Sequence, residues 1–326
     1  MSPAQSLLWE VLVCPRDKQS LRQEGAKLVC GQGHRYSVVE GIPILLVSEA
    51  EQTHIEGTRA LAVAESGDES SLRKFDVKPD EIDPFVVNAI GATNGSLYEH
   101  LVGRLTEYPI PRLRLPSGEG RGFLEIGCNW GRWCIAAARQ GYRPIGIDPS
   151  LKSIRAANRV ARQLGIDAAY VVADGRFLPF LDQSFDQIFS YSVLQHLSKE
   201  NTLATLSEIR RVLHVGAGAL IQMPNTFGMR CLYHQIRRGF QEGQDFDVRY
   251  WRPKELRSAF TERIGPSELT VDGYFSLNVQ PSDIHLLLAR YRPIVHASEG
   301  LRWMSERVPA LMKVADSLYV SARRAD

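Results

Sequence analysis

The stretch 121–148, RGFLEIGCNWGRWCIAAARQGYRPIGID, decides the fold of this 326-residue chain. A short apolar run predicts a strand over 123–126, and an alanine-rich segment predicts a helix over 130–140. A second apolar run predicts another strand over 145–147. Strand, tight turn, helix and strand make half of a βαβ nucleotide-binding unit, whose ligand is expected at the carboxyl ends of the strands.

Two acidic side chains, Glu125 and Asp148, mark the ends of these strands. They are 23 residues apart, close to the spacing of about 20 at which a carboxylate binds ribose hydroxyls. Gly127 and Gly131 shape the turn, but Asn129 stands where a middle glycine would approach a pyrophosphate. Asparagine tolerates a left-handed backbone, so we expect the turn without the close phosphate contact. A phosphate-free nucleoside fits better, and S-adenosylmethionine is the common one.

Four stretches resemble one protein family. The segment EIGCNWG at 125–131 resembles the Glu/Asp-x-Gly-x-Gly-x-Gly motif of class I S-adenosylmethionine-dependent methyltransferases, with a departure at Asn129. The stretch 171–198 is similar to that family's second and fourth motifs, and 213–225 to its fifth-strand hairpin. The resemblance implies an α/β fold over 117–326, with a doubly wound, seven-stranded Rossmann-like sheet and a helical insertion at 281–314.

The resemblance also implies which residues contact the cofactor. Asp174 would accept from the adenine amino group, although a simple Asp-Gly turn is the alternative. A ring of Trp130 or Tyr191 could lie near the sulfonium as a cation–π contact, with a core role the alternative for Trp130. The predicted cofactor-binding residues are Glu125, Gly127, Asn129, Trp130, Gly131, Asp148, Pro149, Asp174, Gly175 and Tyr191.

His196 follows the fourth predicted strand and is the candidate general base. An imidazole titrates near neutral pH, which suits removal of a proton from a hydroxyl. Similar methyltransferases also use a histidine here to cap a helix or to pack against the cofactor. We further predict a lid at 94–100, for which an ordinary packing helix is the alternative. The predicted substrate-binding residues are Tyr98, Gln195, Asn225, Tyr233 and Trp251.

The first 48 residues form a separate unit with two cysteine knuckles. The stretch 12–46 resembles the zinc-ribbon-like domain of the tRNA-methyltransferase activator family, whose signature is Cys-Pro-x-Cys, a later Cys-x-x-Cys, then Tyr-Pro-x-x-x-Gly-Ile-Pro-x-Leu-Leu. Asp17 and Gly33 stand in place of the second and fourth cysteines. Zinc could still be held by Cys14, Asp17, Cys30 and His34, because carboxylate and imidazole are zinc ligands. The alternative is a small β domain that has lost its metal.

Composition narrows the remaining possibilities. The net charge of +2 gives no general field for nucleic acid. Five scattered cysteines favour a reducing compartment. The N-terminus lacks a signal pattern and the apolar runs are too short to span a membrane, so we expect a cytoplasmic protein. Residues 49–116 are predicted to be a linker and a helical lid.

Three functions remain open. The leading hypothesis is an S-adenosylmethionine-dependent methyltransferase that O-methylates a small molecule or glycan. The first alternative is an rRNA guanine methyltransferase, since Cys30 and His34 echo the knuckle of those enzymes. The missing second cysteine, the weak charge and the poor match after the fourth strand make RNA a less expected partner. The second alternative is a non-catalytic cofactor-binding scaffold.

Overall fold

The computed structural model describes residues 2–67, 75, 77–78, 80–275 and 278–326. A small antiparallel sheet at the N-terminus has the strand order β1-β2-β3-β4. Its strands are β1 (Leu21–Glu24), β2 (Lys27–Cys30), β3 (Arg35–Val39) and β4 (Ile42–Pro43). The first 48 residues therefore contain a four-stranded β-sheet.

A seven-stranded sheet forms the centre of the molecule. Its strands are β5 (Gly122–Ile126), β6 (Arg143–Asp148), β7 (Ala169–Val172), β8 (Phe185–Ser190), β9 (Leu213–Pro224), β10 (Ser267–Gly273) and β11 (Ser317–Arg323). They lie in the order β10-β11-β9-β8-β5-β6-β7. The five strands from β5 to β9 run parallel where they pair, whereas β11 is antiparallel to both β9 and β10. The predicted Rossmann-like sheet is confirmed.

Helices cover both faces of this sheet. The α-helices are α1 (Pro3–Val11), α2 (Ile55–Ser66), α3 (Pro84–Asn94), α4 (Arg132–Arg139), α5 (Leu151–Gln163), α6 (Lys199–Val212), α7 (Met229–Arg237), α8 (Pro253–Arg263) and α9 (Arg292–Ser305). Apolar residues of α1, α6 and α8 share one buried cluster with the sheet. Those of α5 pack on the other face, in a second cluster that includes Tyr170 and Val172.

The N-terminal unit packs against the large sheet through backbone hydrogen bonds. The Val13 amide donates to the Pro179 carbonyl at 2.9 Å, and the Leu45 amide donates to the Val172 carbonyl at 2.8 Å. Ile44 also forms a parallel bridge with Val172. The unit therefore covers the edge strand β7, whose backbone groups would otherwise be open to pairing with another chain.

The stretch predicted to be a linker and lid is largely helical where it is described. It contains α2, α3 and a 3-10 helix at Ser96–Leu101. Residues 68–74, 76 and 79 of this prediction lie outside the described residues. The sequence also predicts the sixth strand of the sheet over 268–277, and its last two residues lie outside the described residues as well. Between β10 and β11 the chain forms α9 and 3-10 helices. Every helix in the described ranges is too short or too polar to cross a membrane.

One strand is longer than its sequence indicates. Apolar character predicts only 220–223, but β9 begins at Leu213, directly after α6. The pairing of β8 with β9 contains an irregularity between Phe185 and Gln187. Gly216 there has a positive φ of 77°. A stretch rich in glycine and alanine lacks the apolar alternation by which strands are recognised in a sequence.

Candidate functional site

The turn after β5 adopts the predicted left-handed conformations. The φ angles are +76° at Gly127, +48° at Asn129 and +80° at Gly131. A Cβ at Gly127 would lie 2.3 Å from a methyl carbon of Val193, and one at Gly131 would lie 2.5 Å from the Tyr170 hydroxyl. Both glycines are therefore required by their backbone conformation and by close packing.

Asp148 ties the two strand ends together. Its Oδ2 accepts from the Asn129 amide at 3.0 Å, and its Oδ1 accepts from the Ser150 amide at 2.9 Å. Burial raises the pKa of this carboxyl to about 6, against the lowering effect of the two amide donors. Each oxygen has accepted one hydrogen bond, so each keeps acceptor capacity for a further donor such as a ribose hydroxyl.

Glu125 has a different environment. The side chain is 2 % exposed, and Oε2 accepts from the Cys134 amide in the first turn of α4 at 2.8 Å. Burial raises the pKa of the carboxyl to about 8. The structure therefore gives Glu125 a part in fixing α4 against β5, and its predicted contact with a cofactor remains a prediction.

The two candidate aromatic residues occupy different surroundings. Trp130 is fully buried in an apolar cluster with Ile90 and Tyr98, which is the core role weighed as the alternative. Tyr191 is half-buried, and its hydroxyl donates to Asp272 Oδ2 at 2.9 Å. That bond fixes the orientation of the Tyr191 ring at the end of β8.

Asp174 lies at the end of β7 and is paired within the protein. Oδ2 accepts from Arg176 Nη2 at 2.7 Å, and Oδ1 accepts from the Arg176 amide at 2.8 Å. Arg176 in turn donates to the Glu51 carbonyl at 2.6 Å. Gly175 and Pro149, two further predicted cofactor residues, are half-buried. The predicted adenine contact of Asp174 remains a prediction, and Arg176 holds its carboxylate in place.

His196 has a defined tautomer. Its Nδ1 lies 2.7 Å from the carbonyl oxygen of Phe246, and because a carbonyl only accepts, Nδ1 carries the proton. Nε2 is then an acceptor, and the Gln195 amide nitrogen lies 3.2 Å from it. Burial lowers the pKa of His196. The imidazole is therefore neutral near pH 7, with its basic nitrogen on the Gln195 side.

The rings of His196, Phe246 and His54 contact one another in a row, which we call the ring stack. The rings of His196 and Phe246 lie 3.9 Å apart and nearly parallel, and His54 meets Phe246 edge-on at 4.9 Å. His54 caps α2, and the charge of the nearby Glu56 contributes to the raised pKa of Asp148. Sequence reasoning missed this role of residues 54–56, because no local motif marks a contact made by distant loops.

Two predicted substrate residues are buried in the structure. Asn225 is fully buried, with its amide nitrogen donating to the Ala315 carbonyl at 2.8 Å and its oxygen accepting from the Phe227 amide at 3.0 Å. Trp251 is 3 % exposed and belongs to the main apolar cluster. Both side chains therefore have packing roles in the fold, and their predicted contact with a substrate remains a prediction.

The other predicted substrate residues are spread over three places. Gln195 adjoins His196, as described above. Tyr98 is fully buried, and its hydroxyl donates to Asp283 Oδ2 at 2.6 Å. The same carboxylate oxygen also accepts from Arg132 Nη2 at 3.4 Å. The predicted lid thus packs against the 3-10 helix Pro281–Leu286. Tyr233 is exposed on α7, where its ring contacts His234 and the guanidinium of Arg237.

The candidate metal ligands do come together. The ligand atoms of Cys14, Asp17, Cys30 and His34 all lie within 4.8 Å of one another. His34 Nδ1 is 3.5 Å from Cys14 Sγ, 3.3 Å from Cys30 Sγ and 3.0 Å from Asp17 Oδ2. The edges of a zinc tetrahedron are about 3.5 Å for sulfur to nitrogen and about 3.3 Å for nitrogen to oxygen, by its bond lengths. The three distances to His34 Nδ1 are therefore equal to or slightly shorter than the corresponding edges of a zinc tetrahedron.

Comparison with known proteins supports the domain assignment. Residues 123–216 match the family model described as a methyltransferase domain, and they lie within the range 117–326 predicted for that domain. The ubiquinone biosynthesis O-methyltransferase of Brucella ovis is 28% identical over 157 residues, covering 44% of this chain and 59% of that protein. The norajmaline N-methyltransferase of Rauvolfia serpentina is 28% identical over 109 residues, covering 32% of this chain and 37% of that protein. The chain thus spans less than two thirds of the length of these relatives.

The chain also resembles solved structures, with lower sequence identity than the relatives above. A S-adenosylmethionine-dependent methyltransferase from Methanosarcina mazei is 18% identical, with a TM-score of 0.46, covering 64% of this chain and 94% of that one. A complex between the Haloferax volcanii Trm112 methyltransferase activator and the putative methyltransferase gives 20% identity and a TM-score of 0.45, with 65% of this chain and 86% of that one covered.

Proposed function

We propose that this chain is a S-adenosylmethionine-dependent methyltransferase that methylates an oxygen of a small molecule or glycan. The observation that carries the proposal is the turn from Gly127 to Gly131, closed by Asp148. Its left-handed Asn129 and its half-buried carboxylate suit a nucleoside without phosphates. The methyltransferase family match over 123–216 supports the same conclusion.

The residues present fit the cofactor. Asp148 offers two oxygens with remaining acceptor capacity to the ribose hydroxyls, at the end of β6 beside the turn at 127–131. When bound, S-adenosylmethionine supplies an electrophilic methyl group on a sulfonium. The chain binds and orients the acceptor and excludes water, which is most of what an in-line displacement requires from a protein.

His196 would take the proton of the acceptor. An acceptor hydroxyl that replaced the Gln195 amide at Nε2 would lie within hydrogen-bond reach of the basic nitrogen. The Phe246 carbonyl holds the proton on Nδ1 and would stabilise the imidazolium formed after the transfer. An oxygen nucleophile suits this arrangement because a hydroxyl must lose a proton as it is methylated.

The class of acceptor is inferred from several sources. Similar proteins include enzymes whose names describe O- and N-methylation of small molecules. The segment 281–314, helical where it borders the lid, is proposed to set acceptor choice.

All five cysteines are free and buried, which supports the proposed reducing, cytoplasmic compartment.

The direct test is a titration of the purified protein with S-adenosylhomocysteine, followed by labelled-methyl transfer to fractionated small molecules, polysaccharides and RNA. We expect a thermal shift with S-adenosylhomocysteine, none with NAD, and label in a small-molecule or saccharide fraction. A shift with NAD alone would overturn the proposed cofactor. Label confined to RNA would overturn the proposed acceptor class.

We also propose that the N-terminal unit binds one zinc ion through Cys14, Asp17, Cys30 and His34. Burial raises the pKa of the Cys14 thiol, and the hydrogen bond with Tyr36 acts in the opposite direction. Arg16 donates to the Tyr36 hydroxyl oxygen at 2.6 Å, which leaves the Tyr36 hydroxyl proton to donate to Cys14 Sγ at 3.1 Å. A hydrogen bond to the sulfur is the outer support that zinc thiolates commonly receive.

Purified protein is expected to contain close to one equivalent of zinc. Cys30→Ala is expected to abolish it and to lower the melting temperature by at least about 5 °C, since metal binding contributes folding free energy. Cys231→Ala is the matched control, because Cys231 is equally buried but lies on α7, away from the cluster. Less than about a tenth of an equivalent by metal analysis would end the zinc proposal.

A further inference from the structure

Helix α7 turns its apolar side chains away from the protein. Cys231 and Gln235 face inward and are buried. The opposite side, the α7 outer face, consists of Met229, Leu232, Tyr233 and Ile236, which are 44%, 37%, 52% and 57% exposed. This i, i+3, i+4, i+7 spacing gives one continuous stripe, of the kind that normally packs on a core.

Cationic side chains border this face on one side. Arg230 and Arg237 are exposed, and α7 itself contains no acidic residue. Within the described part of the chain, neither guanidinium forms an ion pair with a carboxylate. Burial lowers the pKa of His234, the charges of both arginines lower it further, and the charge of Asp316 acts in the opposite direction. Apolar and cationic side chains therefore form adjacent stripes on one exposed helix.

The helix is held firmly in this orientation. Asp316 Oδ1 accepts from the Arg230 amide at 2.7 Å and from the Cys231 amide at 2.9 Å, satisfying two donors at the helix start. Gln235 donates to the Thr226 carbonyl at 2.8 Å on the buried side. These hydrogen bonds fix the orientation of α7, so its apolar face points away from the protein.

A second exposed apolar group lies beside it. Asn225, just before α7, donates to the carbonyls of Met312 and Lys313 at 3.3 Å and 3.1 Å, so the segment before β11 borders the start of α7. That segment exposes Val308 and Val314, at 46% and 41%, next to the basic side chain of Lys313. Lys313 and Val314 are therefore exposed in a segment whose backbone contacts the residues just before α7.

We propose that the α7 outer face docks on the surface of a bilayer containing anionic phospholipids. An amphipathic helix with apolar residues on one face and arginines beside them binds in the plane of such an interface. Anionic headgroups would pair with Arg230 and Arg237, which have no carboxylate partner among the described residues of the protein. A second copy fits less well, because a two-fold contact would bring the same arginine-bordered face against itself.

The position of the helix gives docking a consequence. α7 follows β9, whose carboxyl end lies at the edge of the sheet where ligands of this fold bind. An acceptor dissolved in the membrane would therefore be presented beside the site. This consequence rests on the proposed methyl transfer, whereas the docking itself does not.

The test is co-sedimentation of the full chain with phosphatidylcholine vesicles, with and without phosphatidylglycerol, at low and high salt. We expect binding only to the anionic vesicles and a decrease with salt. Ile236→Glu, and separately Arg230→Glu with Arg237→Glu, should each reduce binding by about tenfold or more. Val215→Glu is the matched control, because Val215 is 48% exposed at the other end of β9.

Unchanged melting temperatures would show that the variants fold. Binding to neutral and anionic vesicles alike, or binding that Ile236→Glu leaves intact, would overturn the proposal. Self-association in sedimentation velocity that Ile236→Glu abolishes, without vesicle binding, would show that a second copy covers the face. Binding of S-adenosylhomocysteine, measured on the same variants, separates a failure of docking from a failure of the proposed function.

Discussion

Replacing His196 by alanine is expected to lower kcat by about 10²–10⁴-fold, the usual contribution of a positioned general base. The dissociation constant of S-adenosylhomocysteine should change little, because the imidazole contacts Phe246 and Gln195 rather than the turn after β5. Single-turnover kinetics with a labelled methyl group, alongside calorimetric titration, would measure both quantities.

His54→Asn is the matched control for this variant. It removes another ring in contact with Phe246 while keeping a side-chain acceptor for the Glu56 amide. If loss of the ring stack alone slowed turnover, His54→Asn and His196→Ala would have similar effects. Turnover of His196→Ala near the wild-type value, with intact cofactor binding, would remove the general-base assignment.

The pH dependence follows from the same environment. Burial lowers the pKa of His196 below its ordinary value of 6.5. The base must be neutral to accept a proton, so kcat should stay on its plateau at pH 7. It should fall only as the pH drops through the lowered pKa. In His196→Ala this acidic limb should disappear, which a merely structural role would not produce.

The centre of the fold could be predicted from the sequence because its signals are local. The strand before Gly127, the helix after Gly131 and the left-handed Asn129 each follow from residues adjacent in the chain. Gly141, which follows this helix, has a positive φ of 86°, as is usual for a glycine just past a helix end. Propensity and turn chemistry act over a few residues, so a motif of this length contains most of the information it needs.

The remainder of the site depends on contacts between distant segments. Asn225 was predicted to contact a substrate, but the carbonyls of 312–315 occupy its amide nitrogen. The ring stack joins His54, His196 and Phe246 from three separate parts of the chain. No spacing within the sequence reports such contacts, because they arise only when the loops at one end of the sheet assemble.

The two acids of the βαβ unit illustrate the same limit. Both follow apolar runs and are equivalent in the sequence pattern. In the structure, Glu125 lies beneath α4 with its oxygen on the Cys134 amide, whereas Asp148 is half-buried and joins the turn to α5. Their burial differs because the two strands meet different elements at their carboxyl ends. A test that contrasts the two residues therefore separates a structural carboxyl from a ligand-binding one.

Asp148→Asn is expected to weaken binding of S-adenosylhomocysteine by about 100-fold, the effect of losing charge-assisted hydrogen bonds to two ribose hydroxyls. Stability should respond differently. The pKa of Asp148 in the folded chain is raised to about 6 from 3.8, so its ionised form is disfavoured by folding and stability rises as the pH falls from 6 towards 4. At pH 7 the neutral amide relieves that cost, but its NH₂ group must face one of the two amide donors.

These opposing effects should keep the melting temperature of Asp148→Asn within about 5 °C of the wild type at pH 7. Glu125→Gln is the matched variant. The Glu125 carboxyl, with a pKa of about 8, is already mostly neutral at pH 7, so the substitution should alter neither stability nor affinity strongly. A 100-fold loss of affinity in Glu125→Gln together with none in Asp148→Asn would reverse the two roles. It would place the nucleoside against α4 instead of at the end of β6.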